Sequence, residues 1–350
     1  MSSLSNLFHN YTDLMTITLE QVEQRAVNLD DQIDQDNTVP PQVGGGVVVH
    51  RGIMRGKGTV VTVKSRIVSG EGATTMQNTL HETYIWSFLR HRNIHPLLGF
   101  VTTFEKSAVS IVSEYKTQWN AHDYVQEHPV YPASLLLGVA RALHYLHDYP
   151  SGPIFHGDIR GKNVLVTDHG SALLTSFSCS SFHHHSSDRM FSPSLLGAKR
   201  WIAPEGIEEK GITAKGDVWA FAMTVLELFT RKTPFEDIES DKGLMVRILM
   251  AKPDRPSCMR DEWWDLCTPC WEFEPELRPS MIDLVKKIEK IIASSQNPQD
   301  RDGNGNGNRD NQVLISQSMD EMPGTTQVMS DFLNATPMLN YSALPIGVSF

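Results

Sequence analysis

The apolar pattern of this chain changes period once, and that change limits the folds open to it. Before about residue 116 the apolar runs are short and β-branched: Val47-Val48-Val49, Thr59-Val60-Val61-Thr62-Val63 and Val109-Ser110-Ile111-Val112. Such runs read as strands, the first two separated by a glycine-containing turn. One segment among them has helical spacing. Met76, Leu80, Tyr84 and Phe88 recur every fourth position and predict a helix over 74–90. From residue 133 onward the period is helical. Leu135, Val139, Leu143 and Leu146 line one face, and Val218, Phe221, Ala222, Val225 and Leu228 a second, more fully buried one. Pro279-Ser280 opens a last helix bearing Leu284, Val285, Ile288 and Ile292, proline being tolerated near a helix start. Strands first and helices afterward predict an α+β chain with a small sheet lobe and a larger helical lobe.

The flanks differ from this middle. Residues 1–41 are polar and close on Val39-Pro40-Pro41; Leu14, Ile17 and Val22 suit a short helix, but the segment is expected to add little core. After residue 293 the chain turns polar and glycine-rich, as in Asn297 to Asn308, and Gln312 to Phe350 holds only scattered Met and Leu. Disorder is expected there. The resulting division is an extension over 1–41, a domain over 42–292 with lobes of about 42–116 and 117–292, and a tail over 293–350. With 350 residues, 40% hydrophobic and 21% charged, the chain has enough apolar material for two lobes. A formal net charge of -10 argues against broad attraction to nucleic acid. No apolar run reaches the length of a membrane span. Met1-Ser2-Ser3-Leu4 has no basic stretch leading into an apolar one, and Ser2 does not suit myristoylation. Four cysteines are too sparse for a disulfide framework and suit a reducing interior, so an intracellular, cytoplasmic protein is expected, the nucleus being equally compatible. Cys267-Thr268-Pro269-Cys270 has the spacing of a redox or zinc pair, but no second pair accompanies it, and small buried residues are expected. His183-His184-His185 sits among serines and reads as a solvated loop tip.

The chemistry concentrates in a few polar motifs. Residues 156–163 read His-Gly-Asp-Ile-Arg-Gly-Lys-Asn, 176–178 read Ser-Phe-Ser, and 200–205 read Arg-Trp-Ile-Ala-Pro-Glu. With Val61-Thr62-Val63-Lys64 upstream, this ordered set resembles a eukaryotic protein kinase, most closely the tyrosine-kinase-like branch of Ser/Thr kinases, over roughly residues 42–292. The resemblance implies a bilobal kinase fold that uses ATP and Mg2+ and acts on, or pairs with, other proteins. It implies nucleotide contacts from Gly44, Gly45, Gly46, Lys64, Glu114, Tyr115 and Leu165. Lys64 would contact phosphates and be held by Glu82 on the following helix. Asp158 would orient the substrate hydroxyl, Arg160 would face the transferring phosphate, and Asn163 would bind metal. Glu205 and Arg278 would form a buried ion pair, Asp217 and Trp219 would open a helix, and Trp86, His156 and Phe177 would stack between the lobes.

Several positions depart from the family pattern. Ser176 stands where a metal-binding Asp is usual, and a neutral hydroxyl does not supply the negative charge magnesium prefers. Val47 or Val49 replaces the third glycine of the phosphate loop, where close backbone approach is wanted. Thr62 replaces the alanine that roofs the adenine. Gly157 replaces an Arg that often pairs with an activation-loop phosphate, and Asp168, the nearest acid to Ser176 in sequence, falls in a turn expected to point away. The expectation is an impaired kinase, a scaffold or allosteric partner with weak ATP binding. The alternative is an active Ser/Thr kinase with an atypical metal site, since Lys64, Glu82, Asp158 and Asn163 are all present.

Overall fold

The computed structural model describes residues 17–44, 46–67, 72–102, 104, 109–116, 120–182, 198–208 and 211–295. The His183–His185 run, Gly45 and the tail beyond residue 295 lie outside the described residues.

The first half is built on an antiparallel sheet. Its elements are helix α1 (Leu19–Glu23), strands β1 (Ile33–Gln35), β2 (Gln42–Gly44), β3 (Val47–Met54) and β4 (Val60–Arg66), helix α2 (Gly72–Ser87), and strands β5 (Leu97–Val101) and β6 (Ser110–Glu114). The sheet order is β1-β3-β4-β6-β5, with β2 also paired to β3. Both strands of the first β-rich pair, the later Val109–Val112 run and the helix over 74–90 appear close to their expected places. The row Met76, Tyr84, Phe88 is only half-buried, because the deeper face of α2 and its C-terminal turn is Leu80, Ile85, Trp86 and Leu89.

The expectation that residues 1–41 add little core is corrected. Thr18 and Gln21 form a reciprocal capping box that starts α1. Val22 is fully buried, and Leu29 and Ile33 pack with Met54, Val61, Val63, Val101 and Val112 on the sheet. The backbone joins too: Leu29 N–H donates to Phe100 O at 2.8 Å and Phe100 N–H to Val27 O at 3.0 Å. The Asp30 carboxylate accepts from the Thr102 N–H and hydroxyl at 2.7 and 2.6 Å. Approach is so close that a Cβ at Gly99 would sit 2.2 Å from Val27 O. The domain therefore starts well before residue 42. Strand pairing also explains Pro40-Pro41. Gln35 pairs with Gly52 and Gln42 with Val49, so residues 36–41 bulge out opposite His50 and Arg51. Prolines lack the N–H that a continuous ladder would need. Asp36 pins the start of the bulge, its N–H donating to Arg51 O at 3.0 Å and its carboxylate accepting from Thr38 N–H at 3.0 Å.

The second half is helical, as expected. Helices α3 (Ala121–Glu127) and α4 (Ala133–His147) precede short strands β7 (Ile154–Phe155), β8 (Val164–Val166), β9 (Ala172–Leu174) and β10 (Ser181–Phe182). Helices α5 (Pro204–Ile207), α6 (Ala214–Thr230), α7 (Asp241–Met250), α8 (Asp261–Cys267) and α9 (Met281–Ser295) complete the lobe. Leu135, Val139, Leu143 and Leu146 on α4 are fully buried or nearly so, and α6 is buried continuously from Asp217 to Leu228. Glu205 and Arg278 form the expected pair through two parallel bonds of 2.6 and 2.7 Å. The remaining Arg278 donors reach Glu272 O and Lys215 O, each at 2.8 Å, and its guanidinium lies 5.1 Å from the Trp219 ring centroid.

Cys179, Cys258, Cys267 and Cys270 form no disulfide. Burial pushes the Cys267 thiol well above its ordinary pKa and Cys270 up to about 12, so neither is a thiolate at neutral pH. Among the described residues no group of three or more His, Cys, Asp or Glu could hold a metal ion, and no helix is long and apolar enough to cross a membrane.

Candidate functional site

Alternation along β4 sorts its side chains. Val61, Val63 and Ser65 are buried on one face, while Thr62, Lys64 and Arg66 share the other. Lys64 Nζ donates to Glu82 Oε1 at 2.9 Å, as the motif implied. Arg66, which motif reasoning missed, donates through Nη2 to the second oxygen, Oε2, at 3.1 Å. Its signal was available in the strand period, two residues beyond Lys64. Glu82 is fully buried. Burial alone would raise its pKa, but the two cations outweigh that and hold it below the usual value.

Contacts behind and below α2 fix its position. The Arg25 guanidinium lies 4.2 Å from the Phe88 ring centroid, and Trp86 Nε1–H donates to His95 O at 2.7 Å. Phe177 meets Trp86 at 5.5 Å and His156 at 5.2 Å between ring centroids, the expected stack. Burial lowers the His156 pKa, so the ring is neutral. Its Nδ1 accepts from Asp158 N–H at 3.2 Å, which leaves Nε2–H to donate to Thr175 O at 3.0 Å. Asp217 accepts from the backbone N–H groups of His156 and Gly157 at 2.8 and 2.9 Å, tying the start of α6 to the loop. Gly157 has φ +77°, and a Cβ there would stand 3.1 Å from Cys179 O, so the glycine suits the turn itself.

The loop after β7 gathers three of the expected residues. Arg160 Nη2 donates to Asp158 Oδ2 at 3.2 Å, and Nε lies 3.0 Å from Oδ1. Asn163 Nδ2 donates to Asp158 O at 2.7 Å, while Asn163 O accepts from Thr175 N–H at 3.0 Å. The organiser of this loop is Glu227, another residue missed in the sequence. It accepts from Gly161 N–H at 2.9 Å and Trp201 Nε1–H at 3.0 Å, and lies 2.7 Å from His122 Nδ1. An acid inside the apolar run of α6 was its only sequence signal.

Ser176 follows β9 in the left-handed region, φ 68° and ψ 67°, and leads into a single turn over Phe177–Cys179. A non-glycine residue there is strained and is held by its surroundings. Nearby donors for a divalent cation are the Asn163 amide, the Ser176 hydroxyl and an Asp158 carboxylate already paired with Arg160. That set does not fit magnesium, which favours free carboxylate oxygens. Asp168 is exposed in the turn at the other end of β9, closed by Gly170 N–H to Thr167 O at 2.8 Å.

Of the nucleotide contacts implied by the motifs, Gly44 and Glu114 fall at strand ends, while Lys64 and Leu165 lie within strands. Gly44 pairs with Val47, and Gly46, just before Val47, has φ +76°. Val47 is the first residue of β3. Glu114 ends β6 and accepts from Lys116 Nζ at 2.8 Å, and the Arg51 guanidinium lies 5.4 Å from the Tyr115 ring centroid. Leu165, half-buried on β8, bridges to Asn120 at the start of α3.

Comparison with known proteins agrees with this geometry. Residues 42–288 match the family model described as protein tyrosine and serine/threonine kinase. Serine/threonine-protein kinase VIK of Arabidopsis thaliana is 29% identical over 245 residues, 67% of this chain and 55% of that protein. Probable serine/threonine-protein kinase drkC of Dictyostelium discoideum is 28% identical over 243 residues, 67% of this chain and 32% of that protein. STY17 of Arabidopsis thaliana, also a serine/threonine-protein kinase, is 26% identical over 228 residues, 63% of this chain and 38% of its own length. The chain thus spans from about a third to about half the length of these curated relatives.

Proposed function

Because this chain belongs to the protein tyrosine and serine/threonine kinase family, we propose that it is a signalling module in which the kinase fold is kept and phosphoryl transfer is impaired. The observation that carries this is local to Ser176. Phe177 beside it is stacked between Trp86 and His156, so the backbone frame is in place while the carboxylate is not. Metal stabilisation of transition-state charge is worth several kcal/mol, and each 1.4 kcal/mol or so is a factor of ten in rate. Loss of that ligand lowers transfer by orders of magnitude. Lys64, with Gly44 and Gly46, still offers a weak ATP site that depends little on magnesium. The module then works through protein contacts, as a scaffold or allosteric partner inside the cell, and four cysteines that form no disulfide suit a reducing compartment.

One observation favours a second reading, an active Ser/Thr kinase with an atypical metal site. The Lys64–Glu82 pair is formed at 2.9 Å, and Asp158 and Asn163 stand on one loop. A radiolabel transfer assay on a generic protein acceptor, with Asp158→Asn as the blank, separates the two. The impaired module gives no signal above the blank. Ser176→Asp alone restores none, because Thr62 and Val47 still misplace the nucleotide. The triple change Ser176→Asp, Ser178→Gly and Thr62→Ala recovers more than its parts add up to, since all three serve one ligand. Robust transfer by the unmodified protein promotes the second reading.

A further inference from the structure

In a pair built from one lysine and one buried glutamate, the lysine cannot leave without stranding the carboxylate. Here the carboxylate has two cations, one on each oxygen: Lys64 on Oε1 and Arg66 on Oε2. Glu82 is wholly buried, while the Lys64 and Arg66 side chains are about one-fifth and one-sixth exposed. One negative charge faces two positive ones, so the cluster carries an excess positive charge. Arg66 is suited to stay: its guanidinium is a planar, pre-organised fork of donors, and its buried Nε makes no hydrogen bond among the described residues that would draw it elsewhere. Lys64 is suited to move, being a point charge on a flexible stem.

We infer that Arg66 is a positioning residue that holds Glu82, and with it α2, so that Lys64 is free to bind the phosphates of a nucleoside triphosphate without a metal ion. The inference rests on the nucleotide-binding part of the proposed function. Removal of Arg66 makes Lys64 the sole counter-charge of a buried carboxylate and ties it down. Arg66 acts through Glu82 and not on the nucleotide, and this sets it apart from an ordinary phosphate ligand.

The test compares the full chain with Lys64→Ala, Arg66→Ala and the double variant Arg66→Ala/Glu82→Gln. Two readouts are taken: hydrogen exchange of the α2 amides without ligand, and calorimetric ATP affinity in EDTA. Lys64→Ala keeps α2 protection near that of the unmodified protein, because Arg66 still pairs Glu82. Arg66→Ala weakens ATP binding about tenfold or more. Adding Glu82→Gln restores the affinity, since no buried charge then holds Lys64. If Arg66→Ala is insoluble, Arg66→Lys gives a smaller loss with the same rescue. Unchanged affinity in Arg66→Ala overturns the inference, as does a loss that Glu82→Gln leaves unrepaired, which means direct contact with the nucleotide. Deprotection of α2 by Lys64→Ala alone overturns it too. Tight ATP binding that requires magnesium contradicts the impaired-kinase reading only; the same variant ratios, measured with magnesium, then decide Arg66. No ATP binding under either condition overturns both.

Discussion

Glu205 and Glu82 are both buried carboxylates paired with basic side chains, and they are paired differently. Glu205 meets one arginine, whose guanidinium nitrogens are all hydrogen-bonded and whose face is covered by Trp219. Charge is matched one to one and the surroundings are filled, so nothing can move without stranding a charge. Glu82 meets two cations from one face of β4, and one of them is dispensable for neutrality. The first arrangement fixes a fold. The second keeps a helix in place and leaves a positive charge available to a ligand.

The largest expected effect lies at the matched pair. Arg278→Leu with Glu205 intact strands the carboxylate and lowers stability by about 3–5 kcal/mol in chemical denaturation. A normal unfolding curve would break the contrast at its structural end. The sheet lobe gives the next effect. Leu29 is buried behind β5, where residues before 42 complete the lobe that carries Glu82. Leu29→Ala costs about 3 kcal/mol by the usual transfer and cavity terms. Removal of residues 1–40 lowers the thermal midpoint markedly; an unchanged midpoint would return that segment to the status of a dispensable extension.

The smallest effect is in pH. Burial alone would raise the Glu82 pKa, but Lys64 and Arg66 depress it below its ordinary 4.5. A depressed folded pKa contributes stability that is full above the unfolded value and is lost as pH falls through the folded one. Glu82→Gln has none of this to lose. The stability difference between the unmodified protein and Glu82→Gln therefore narrows as pH drops below about 4.5. The difference cancels most other titrating groups, including His95, whose pKa burial lowers to about 4. A gap that stays constant or widens toward acid would deny the pairing its electrostatic role.

Much of this was legible in the sequence where period and motif agree. The β-branched runs around residues 47 and 61, the apolar faces of α4, α6 and α9, and the Lys64–Glu82 and Glu205–Arg278 partners stand where local pattern and family resemblance put them. Residues 18–36 did not. Val22, Ala26, Leu29 and Ile33 are buried, but polar residues separate them and their partners lie on β3, β4, β5 and β6, far along the chain. The family match also begins at residue 42. The bulge over 36–41 hides a strand by splitting it into two pieces of three residues. Arg66 and Glu227 were missed for another reason. Each is a charged residue whose role is set by a tertiary partner, and single-sequence spacing marks only its address.

The central claim of the proposal is that the metal position at Ser176 has lost its function while the phosphate position at Lys64 has not. Calorimetric titration of the full chain with ATP, once with magnesium and once with EDTA, tests it most directly. Weak binding of nearly the same affinity in both conditions, within about threefold, is the expected result. Tight binding that appears only with magnesium would contradict it.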